Sequence, residues 1–395
     1  MSRSRFFAAL AVLFAAVAPA RAQIATSAEH AILMDAASGQ VLWAKDAFTP
    51  MPPASMSKLM TLELVFQRLK DGRLKLSDTF PVSELAWRTG GSKGFVRVGD
   101  RLTVDDLIQR IIVASGNDAC MVVAEGLGGT VEGFVDMMNR RAKELGLTNS
   151  HFVNPNGLPD PPGQLMSAYD LAVLAWHLIR DDPQYYHYFS ERSYTTSDQG
   201  KQITQQNRNT VLEKFSGADG LKTGYTDAAG YSITTSAVQD GRRLILVLGG
   251  LRYPDLDKFA EIKRDWIAEQ RRGDEAARLL GLAFREFRSY QLFKPGDIVG
   301  QVPVAGGSKP TVAATAGAVS VTMQVDSRDA MKVTLRYFPG LKAPIAQGQR
   351  VGTLVISAPD FPGLDVPVVA AESVPEANIV WRMFLAVRHW FSGKH

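Results

Sequence analysis

Cysteine is almost absent from this chain, since Cys120 is the single cysteine among 395 residues. No disulfide can therefore form within the chain, and no cluster of thiolates can hold a metal. The six histidines lack metal-ligand spacing, and we predict structural positions for His30, His151 and His177. We expect no metal and no organic cofactor. A net charge of only +4, without a basic run interleaved with aromatic residues, argues against a nucleic-acid partner.

Apolar runs long enough to cross a membrane are also missing, and the nearest candidate stands at the N-terminus. Two arginines come first, an apolar run covers residues 6–17, and "ARA" closes the segment at residues 20–22. This three-part order is typical of a secretory signal cleaved after Ala22. A short transmembrane anchor is the alternative, but the run falls short of the roughly 20 residues that a spanning helix needs. We therefore predict a signal peptide over residues 1–22 and export of the rest.

The C-terminal segment "EANIVWRMFLAVRHWFSGKH" has an amphipathic pattern. On a helical projection its apolar side chains share one face, and several basic side chains lie opposite. The apolar set is Ile379, Val380, Met383, Phe384, Val387, Trp390 and Phe391, and the basic set includes Arg382, Arg388 and His389. We predict that residues 371–395 form a linker and an amphipathic helix that attaches the protein to a membrane surface. The alternative is a terminal helix packed on the protein's own core.

Hydrophobic periodicity predicts an α+β domain over residues 23–291. Two short apolar runs near its start indicate a hairpin, and several segments of helical period follow. Three candidate strands come next, around Leu221 and over residues 231–238 and 243–248, with the turn signal Asp240-Gly241 between the last two. Strands on both sides of a helical block indicate an antiparallel sheet with helices on its faces.

The pattern changes near the end of this domain. Residues 292–370 contain short alternating runs divided by glycine and proline, which predict a small all-β domain. This region has no cluster of catalytic residue types. We therefore expect it to act as a spacer or docking domain.

Three short motifs occur in order along the chain. Ser55 precedes Lys58 by three residues at the start of a predicted helix. Ser115-Gly116-Asn117 falls at a predicted helix break, and Lys222-Thr223-Gly224 lies on a strand predicted to edge the sheet. The serine–lysine spacing is weak evidence alone, because serine is also a common helix cap. The ordered set of three motifs is strong evidence for catalysis.

The first motif supplies a nucleophile and a base. Serine needs an adjacent base, and positions i and i+3 share one face of a helix, so the Lys58 amine can reach the Ser55 hydroxyl. Lysine is a base only when it is neutral, and burial near Lys222 would lower its pKa toward the working range. The helix N-terminus also presents backbone N–H groups where an oxyanion could form. Ser55 and Lys58 are therefore predicted to be a catalytic pair.

The other two motifs are predicted to handle the substrate. Ser115 can relay a proton to the leaving nitrogen, and the Asn117 amide can hold a peptide group. Lys222 and Thr223 offer a cation and a hydroxyl to a carboxylate. Gly224 has no Cβ, which leaves room for an extended substrate beside the strand.

The segments "PASMSKLMT", "IIVASGNDAC", "HFVNPNGLPD", "NRN" and "DGLKTGYT" resemble low-molecular-mass penicillin-binding proteins, and more narrowly serine-type D-alanyl-D-alanine carboxypeptidases. The resemblance covers roughly residues 25–370, and the amphipathic tail resembles that family's membrane anchor. It implies a penicillin-binding/β-lactamase-like catalytic domain followed by a small all-β domain. It also implies that Ser55 is the acylated nucleophile, Lys58 the proton acceptor and Lys222 a substrate-binding residue. The backbone N–H groups of Ser55 and Tyr225 would form the oxyanion hole.

The chain departs from the family pattern at two places. Tyr225 stands where the family often has histidine after Lys-Thr-Gly, and we expect activity to survive because only the backbone serves the oxyanion. An insertion, "RYPDLDKFAEIKRDWIAEQR", occupies residues 252–271. Counting back from the following Leu-Leu pair makes Arg272 the carboxylate-binding arginine of the family, with Arg252 and Arg271 as alternatives. The segment "TGGSKGF" resembles the glycine-rich loop that borders the family's active site, or is a plain flexible loop.

The resemblance implies a carboxypeptidase that removes the terminal D-alanine from peptidoglycan pentapeptide stems through an acyl-enzyme. β-Lactams would acylate the same serine, and the protein would lie in the periplasm, peripherally attached to the outer face of the cytoplasmic membrane. A DD-endopeptidase that cuts peptidoglycan crosslinks with the same residues is the nearest alternative. A β-lactamase is less expected, because no glutamate motif for deacylation stands between Asn117 and Lys222. A non-catalytic wall-binding scaffold would not need the intact motifs.

Overall fold

The structure is a computed structural model that describes residues 24–198, 200–359 and 361–377. The predicted signal peptide and the predicted amphipathic helix after residue 377 lie outside these ranges. No helix within them is long and apolar enough to cross a membrane.

Within the described ranges the chain forms eight α-helices and sixteen strands. The helices are α1 Lys58–Lys70, α2 Glu84–Arg88, α3 Val104–Ile112, α4 Asn117–Gly128, α5 Val131–Glu144, α6 Ala168–Asp181, α7 Val211–Lys214 and α8 Glu261–Glu286. The strands are β1 His30–Asp35, β2 Val41–Lys45, β3 Thr79–Pro81, β4 Arg101–Thr103, β5 Ser193–Asp198, β6 Lys201–Gln206, β7 Ala218–Thr226, β8 Gly230–Gln239, β9 Arg242–Leu251, β10 Phe287–Phe293, β11 Ile298–Pro303, β12 Thr311–Thr315, β13 Val319–Gln324, β14 Lys332–Tyr337, β15 Arg350–Ala358 and β16 Phe361–Ala370.

A five-stranded antiparallel sheet forms the centre of the larger domain, in the order β2-β1-β9-β8-β7. The turn between β8 and β9 has Asp240 at φ 50° and Gly241 at φ 73°. Two positive φ angles are what a tight hairpin of this hand needs, and the Asp-Gly pair tolerates them. The predicted hairpin, the three predicted strands and the edge position of β7 are confirmed.

Helices cover both faces of this sheet because side chains alternate along each strand. In β1, Ile32 and Met34 belong to the larger core, which contains most of the helices from α1 to α6. Ala31 and Leu33 face the opposite core, which α8 covers. The predicted α+β class, with helices on the faces of an antiparallel sheet, is therefore confirmed.

The C-terminal β domain consists of strands β10 to β16. A five-stranded sheet in the order β11-β12-β16-β15-β14 is accompanied by the β10–β13 pair, and an apolar core fills the domain. Its first strand begins at Phe287, directly after α8. The predicted domain boundary at residue 292 therefore falls inside β10.

Candidate active site

Ser55 lies in a short 3-10 helix, Ala54–Ser57, that leads directly into α1. The preceding residue, Ala54, has a φ of 47°, which is uncommon for a residue other than glycine. The Ser57 hydroxyl donates a hydrogen bond of 3.0 Å to the Ala54 carbonyl and holds this turn. The turn presents Ser55 to a cleft beside the edge of the sheet.

Lys58 is fully buried, and its Nζ lies 2.6 Å from Ser55 Oγ. Two further acceptors surround this nitrogen: Asn117 Oδ1 at 2.7 Å and the Asn156 carbonyl oxygen at 2.6 Å. A neutral amine has two N–H groups and one lone pair. Because these two acceptors take both N–H groups, the lone pair is left facing the Ser55 hydroxyl. This arrangement suits a base that removes the serine proton.

The environment of Lys58 favours the neutral amine. Burial is the main cause that lowers its pKa to about 8, and the nearby Arg208 guanidinium lowers it further, while Cys120 and Asp118 oppose the shift. A lysine with a pKa near 8 is neutral in a useful fraction of molecules at neutral pH. Buried charged groups are expensive to maintain, so a lysine in this position indicates chemistry rather than packing.

The second motif forms the break between α3 and α4. Ser115 has a φ of 58°, and its Oγ is buried without a hydrogen-bond partner among the described residues. A Cβ on Gly116 would lie 2.8 Å from the Gly94 backbone nitrogen, so glycine is required there. The Asn117 side chain accepts from Lys58 and donates 2.8 Å to the Gly90 carbonyl. The predicted contact of Asn117 with substrate stays a prediction.

The third motif lies on β7, the edge strand. Lys222 is buried, and its Nζ donates a 3.2 Å hydrogen bond to the Thr223 carbonyl. Burial lowers the pKa of Lys222 well below its usual range, and the positive charges of Lys58, Arg208 and Arg272 add to this shift.

The structure gives a reason for glycine at position 224 that differs from the one the sequence suggested. A Cβ at this position would lie 2.8 Å from the Pro53 carbonyl oxygen and 3.2 Å from the Ala54 Cβ. Glycine therefore allows β7 to pack tightly against the turn that carries Ser55. Gly224 also lines the cleft, and the predicted room for substrate beside the strand stays a prediction.

The three motifs meet at one cleft of about 270 Å³. Ser55, Ser115, Thr223, Gly224, Tyr225 and Arg272 all line it, together with Gly91, Ser92, Arg208, Tyr231, Glu261, Asp265 and Glu269. A nucleophile, a buried base, an unpartnered hydroxyl and several cations thus surround one space that a small acyl substrate could enter.

Comparison with known proteins identifies the family. The model for "D-alanyl-D-alanine carboxypeptidase", peptidase S11, matches residues 15–251, and the model for the "Penicillin-binding protein 5, C-terminal domain" matches residues 287–376. The chain belongs to the D-alanyl-D-alanine carboxypeptidase family. It is accordingly a serine-type D-alanyl-D-alanine carboxypeptidase, a hydrolase of the penicillin-binding protein group.

Curated relatives match over nearly the whole chain. D-alanyl-D-alanine carboxypeptidase DacF of Bacillus subtilis is 32% identical over 370 residues, which is 93% of this chain and 91% of the relative. D-alanyl-D-alanine carboxypeptidase DacC of Escherichia coli is 36% identical over 373 residues, which is 91% of this chain and 88% of the relative.

Solved structures share the fold. Penicillin-binding protein 5 from Haemophilus influenzae has a TM-score of 0.74 and 32% identity, covering 88% of this chain and 98% of that one. Penicillin-binding protein D2 from Listeria monocytogenes, in its ampicillin-bound form, has a TM-score of 0.56 and 27% identity, covering 66% of this chain and 99% of that one.

The three arginines that are candidates for binding the substrate carboxylate differ in their position relative to the cleft. Arg272 is buried, lines the cleft, and donates hydrogen bonds of 3.0 Å to the Arg208 carbonyl and 3.5 Å to the Gly224 carbonyl. Arg252 is exposed and pairs with Glu29, and Arg271 donates to Asp255. Neither Arg252 nor Arg271 lines the cleft, so the geometry favours Arg272 as the carboxylate-binding arginine.

The glycine-rich segment at residues 89–95 borders the cleft of the enzyme through Gly91 and Ser92. It is tied to α4, because the Asn117 N–H donates 2.8 Å to the Ser92 carbonyl. The Gly94 N–H donates 2.6 Å to Asp118 Oδ1. The alternative of a plain flexible loop does not fit these hydrogen bonds.

Sequence reasoning did not single out Asn156 and Arg208. Asn156 contributes a backbone carbonyl to Lys58, and the neighbouring Pro155 carbonyl accepts from Thr61 Oγ1 at 2.6 Å. Gly157, at φ 85°, approaches the Ala54 carbonyl so closely that a Cβ would lie 1.9 Å from it. The signal for this contact was the glycine after Pro-Asn in "VNPNG", which a close backbone approach would explain.

Proposed function

We propose that the enzyme removes the terminal D-alanine from peptidoglycan pentapeptide stems through an acyl-enzyme on Ser55. The observation that carries the proposal is the 2.6 Å contact between Ser55 Oγ and the buried Lys58 Nζ. The stem would bind in the cleft with its terminal carboxylate toward the cations Lys222 and Arg272 and the Thr223 hydroxyl.

Acylation would begin with the attack of Ser55 Oγ on the carbonyl carbon of the penultimate D-alanine, while its proton moves to Lys58 Nζ. The negative charge would form on the carbonyl oxygen, facing the backbone N–H groups of Ser55 and Tyr225. The C–N bond would then break, and the proton held by Lys58 would reach the leaving amine of D-alanine through Ser115 Oγ, which takes up one proton as it gives one and leaves Lys58 neutral again. The free Ser115 hydroxyl supports this role, because no described residue competes for it.

Deacylation would use the same base. Water would attack the Ser55 ester and give a proton to Lys58, and the bond to Ser55 Oγ would break to release the shortened stem with a new carboxylate. Lys58 would return its proton to Ser55 Oγ, which restores the free enzyme. β-Lactams present a strained amide and a carboxylate in comparable positions, so they would acylate Ser55 as well. The ampicillin-bound form of the Listeria relative supports this expectation.

Release of D-alanine from diacetyl-Lys-D-Ala-D-Ala tests the proposed function. We expect release by the mature enzyme, and neither release nor labelling by fluorescent penicillin in Ser55→Ala. Ser320→Ala, which removes an exposed hydroxyl from the β domain, is the matched control and should behave as wild type. Release that persists in Ser55→Ala would refute the assigned nucleophile. Cleavage of crosslinked muropeptide dimers, with no tripeptide cleavage, would establish the endopeptidase alternative.

We also propose that the enzyme acts in the periplasm and is held at the membrane surface by its C-terminal segment. The three-part N-terminal signal and the amphipathic pattern of the tail support this location. Deleting residues 376–395 should abolish co-sedimentation with anionic lipid vesicles, while soluble tripeptide is still cleaved. Equal sedimentation of the truncated and full-length proteins would contradict the anchor.

A further inference from the structure

The insertion at residues 252–271 places carboxylates on the wall of the catalytic cleft. Glu261, Asp265 and Glu269 follow one another at four-residue intervals on α8, and all three line the cleft. Residues at this spacing share one face of a helix, and Arg272 continues the same face one turn later. The cleft is a ligand site on independent grounds, since the buried Ser115 Oγ in its wall has no partner among the described residues.

Charge along this cleft therefore changes sign. Its inner part contains Arg208 and Arg272 beside the buried Lys222, and its α8 wall beyond Arg272 contains the three carboxylates. At 1.5 Å per helical residue, these carboxylates stand about 4 to 16 Å along the helix axis from Arg272. Among the described residues, the cation paired with them is Arg264, whose Nε lies 3.4 Å from Asp265 Oδ1.

The acidic wall is held in place by Tyr231 of β8, the strand next to the third-motif strand β7. The Tyr231 hydroxyl donates a 2.7 Å hydrogen bond to Asp265 Oδ1. The Tyr231 ring stacks on Tyr225, with ring centroids 4.1 Å apart. The tyrosine that stands where the family often has histidine thus connects the Lys-Thr-Gly strand to the inserted helix. A substrate beside β7 would therefore meet carboxylates at defined positions.

A pentapeptide stem has a matching charge pattern. It ends in a carboxylate, continues through two uncharged D-alanines, and is preceded by a diamino acid whose side chain ends in an amine. In an extended chain the diamino acid stands about 7 Å from the terminal residue, and its side chain reaches further. We propose that Glu261 and Asp265, with Glu269 beside them, bind this free amino group, so that the enzyme favours stems whose amine is not acylated. This subsite rests on the proposed carboxypeptidase function.

Two tripeptides test the subsite. Nα-acetyl-Lys-D-Ala-D-Ala has a free side-chain amine, and the diacetylated form has none. We expect the wild type to favour the free amine about five- to tenfold in kcat/KM, as one or two partly exposed ion pairs would provide. The preference should fall in Glu261→Gln, approach one in the double variant Glu261→Gln/Asp265→Asn, and weaken in high salt. Each value is a ratio on one enzyme preparation, so loss of folded protein cancels.

Glu286→Gln is the matched control, because it removes the same charge from α8 at a position that does not line the cleft. It should keep the wild-type preference. Equal kcat/KM for the two tripeptides in the wild type, or a preference that survives in the double variant, would overturn the subsite. Absence of D-alanine release from both tripeptides would instead refute the proposed function. The same substrate pair built on meso-diaminopimelic acid shows which diamino acid the subsite prefers, and a preference for either free amine supports it.

Discussion

The two folded regions of this enzyme differ in the kind of polar side chain that they bury. The α+β region buries several ionisable side chains, among them Lys58, Lys222 and Arg272. In the described part of the β domain, Thr322 and Ser327 are the only buried polar side chains, and neither is charged. An uncompensated buried charge destabilises a fold by several kcal/mol. The β domain packs without burying a charged side chain in its described part, so the buried cations of the larger region indicate function.

One of these two buried polar side chains, Thr322, lies where the β domain touches the larger region. Thr322 Oγ1 donates a 2.9 Å hydrogen bond to Asp35 Oδ2, and the Thr322 carbonyl accepts from Gln40 Nε2 at 2.7 Å. These contacts join β13 to the β1–β2 hairpin. They attach one region to the other and place no ionisable group in the core of the β domain.

Removing the base should give the largest difference between the two regions. Lys58→Met leaves Ser55 without a proton acceptor, and we expect D-alanine release to fall about 10³- to 10⁴-fold. Lys332→Met makes the same change on an exposed β-domain strand and should leave release unchanged. The rate of tripeptide hydrolysis measures both. Near-normal release by Lys58→Met would mean that another group removes the serine proton.

Lys222 offers a test in which activity and stability move in opposite directions. Among the described residues its Nζ makes one hydrogen bond, of 3.2 Å, to its neighbour's carbonyl, so Lys222→Met removes a buried amine and frees few partners. We expect D-alanine release to fall about a hundredfold. The free energy of unfolding should rise by about 1–2 kcal/mol. Calorimetry and hydrolysis on the same preparation measure both changes, and a destabilised Lys222→Met would contradict the argument.

Leu354→Ala is the counterpart in the β domain, where burial has no catalytic reason. Leu354 lies in the apolar core of that domain, so its truncation should lower the stability of the domain by about 2–5 kcal/mol. Release per penicillin-titrated site should stay at the wild-type value. A loss of activity without unfolding would show that the two regions are coupled more tightly than their contacts suggest.

The central sheet and the nucleophile–base pair could be predicted because both follow local patterns. Alternation and the Asp240-Gly241 turn determine β8 and β9, and helical spacing brings Ser55 to Lys58. The hairpin of β5 and β6 was missed because its segment, "SYTTSDQGKQITQQ", is polar, with little apolar alternation to indicate strands. The predicted start of the β domain at residue 292 lies inside β10, because α8 passes into β10 without a glycine or proline that would signal the change.

Contacts that depend on the path of the chain could not be predicted from residue types. The Asn156 carbonyl reaches Lys58 across 98 residues, and a backbone acceptor carries no side-chain signal. Because of the 252–271 insertion, counting along the sequence left three arginines as candidates for binding the substrate carboxylate. The structure distinguishes them, because Arg272 is buried and lines the cleft, whereas Arg252 and Arg271 do not line it. The ordered motifs predicted the remaining site residues, and each of the three motifs places at least one residue in the wall of the cleft.

A smaller effect is expected where a glycine lets two backbone segments approach closely beside the nucleophile. Gly224→Ala would place a Cβ 2.8 Å from the Pro53 carbonyl and push β7 away from the Ser55 turn. We expect acylation by fluorescent penicillin to slow about tenfold, because the reacting groups are misplaced. Gly317→Ala in the β domain meets no atom within 4 Å and should acylate normally. Equal rates for both variants would show that the turn adjusts without loss.

The smallest effect should be a shift in pH dependence. Acylation requires neutral Lys58, so its kcat/KM should rise with pH through the pKa of about 8 and level off above it. Arg208 lowers the pKa of Lys58, so Arg208→Gln should move the midpoint of this rise to higher pH. Arg336→Gln, which removes an exposed charge in the β domain, should leave the midpoint in place.

Arg208 also lines the cleft and donates to Ser92 Oγ at 2.9 Å, so its loss can weaken substrate binding as well. Weaker binding lowers the plateau without moving the midpoint, and the full pH profile therefore separates the two effects. An unchanged midpoint in Arg208→Gln would mean that burial alone keeps Lys58 neutral.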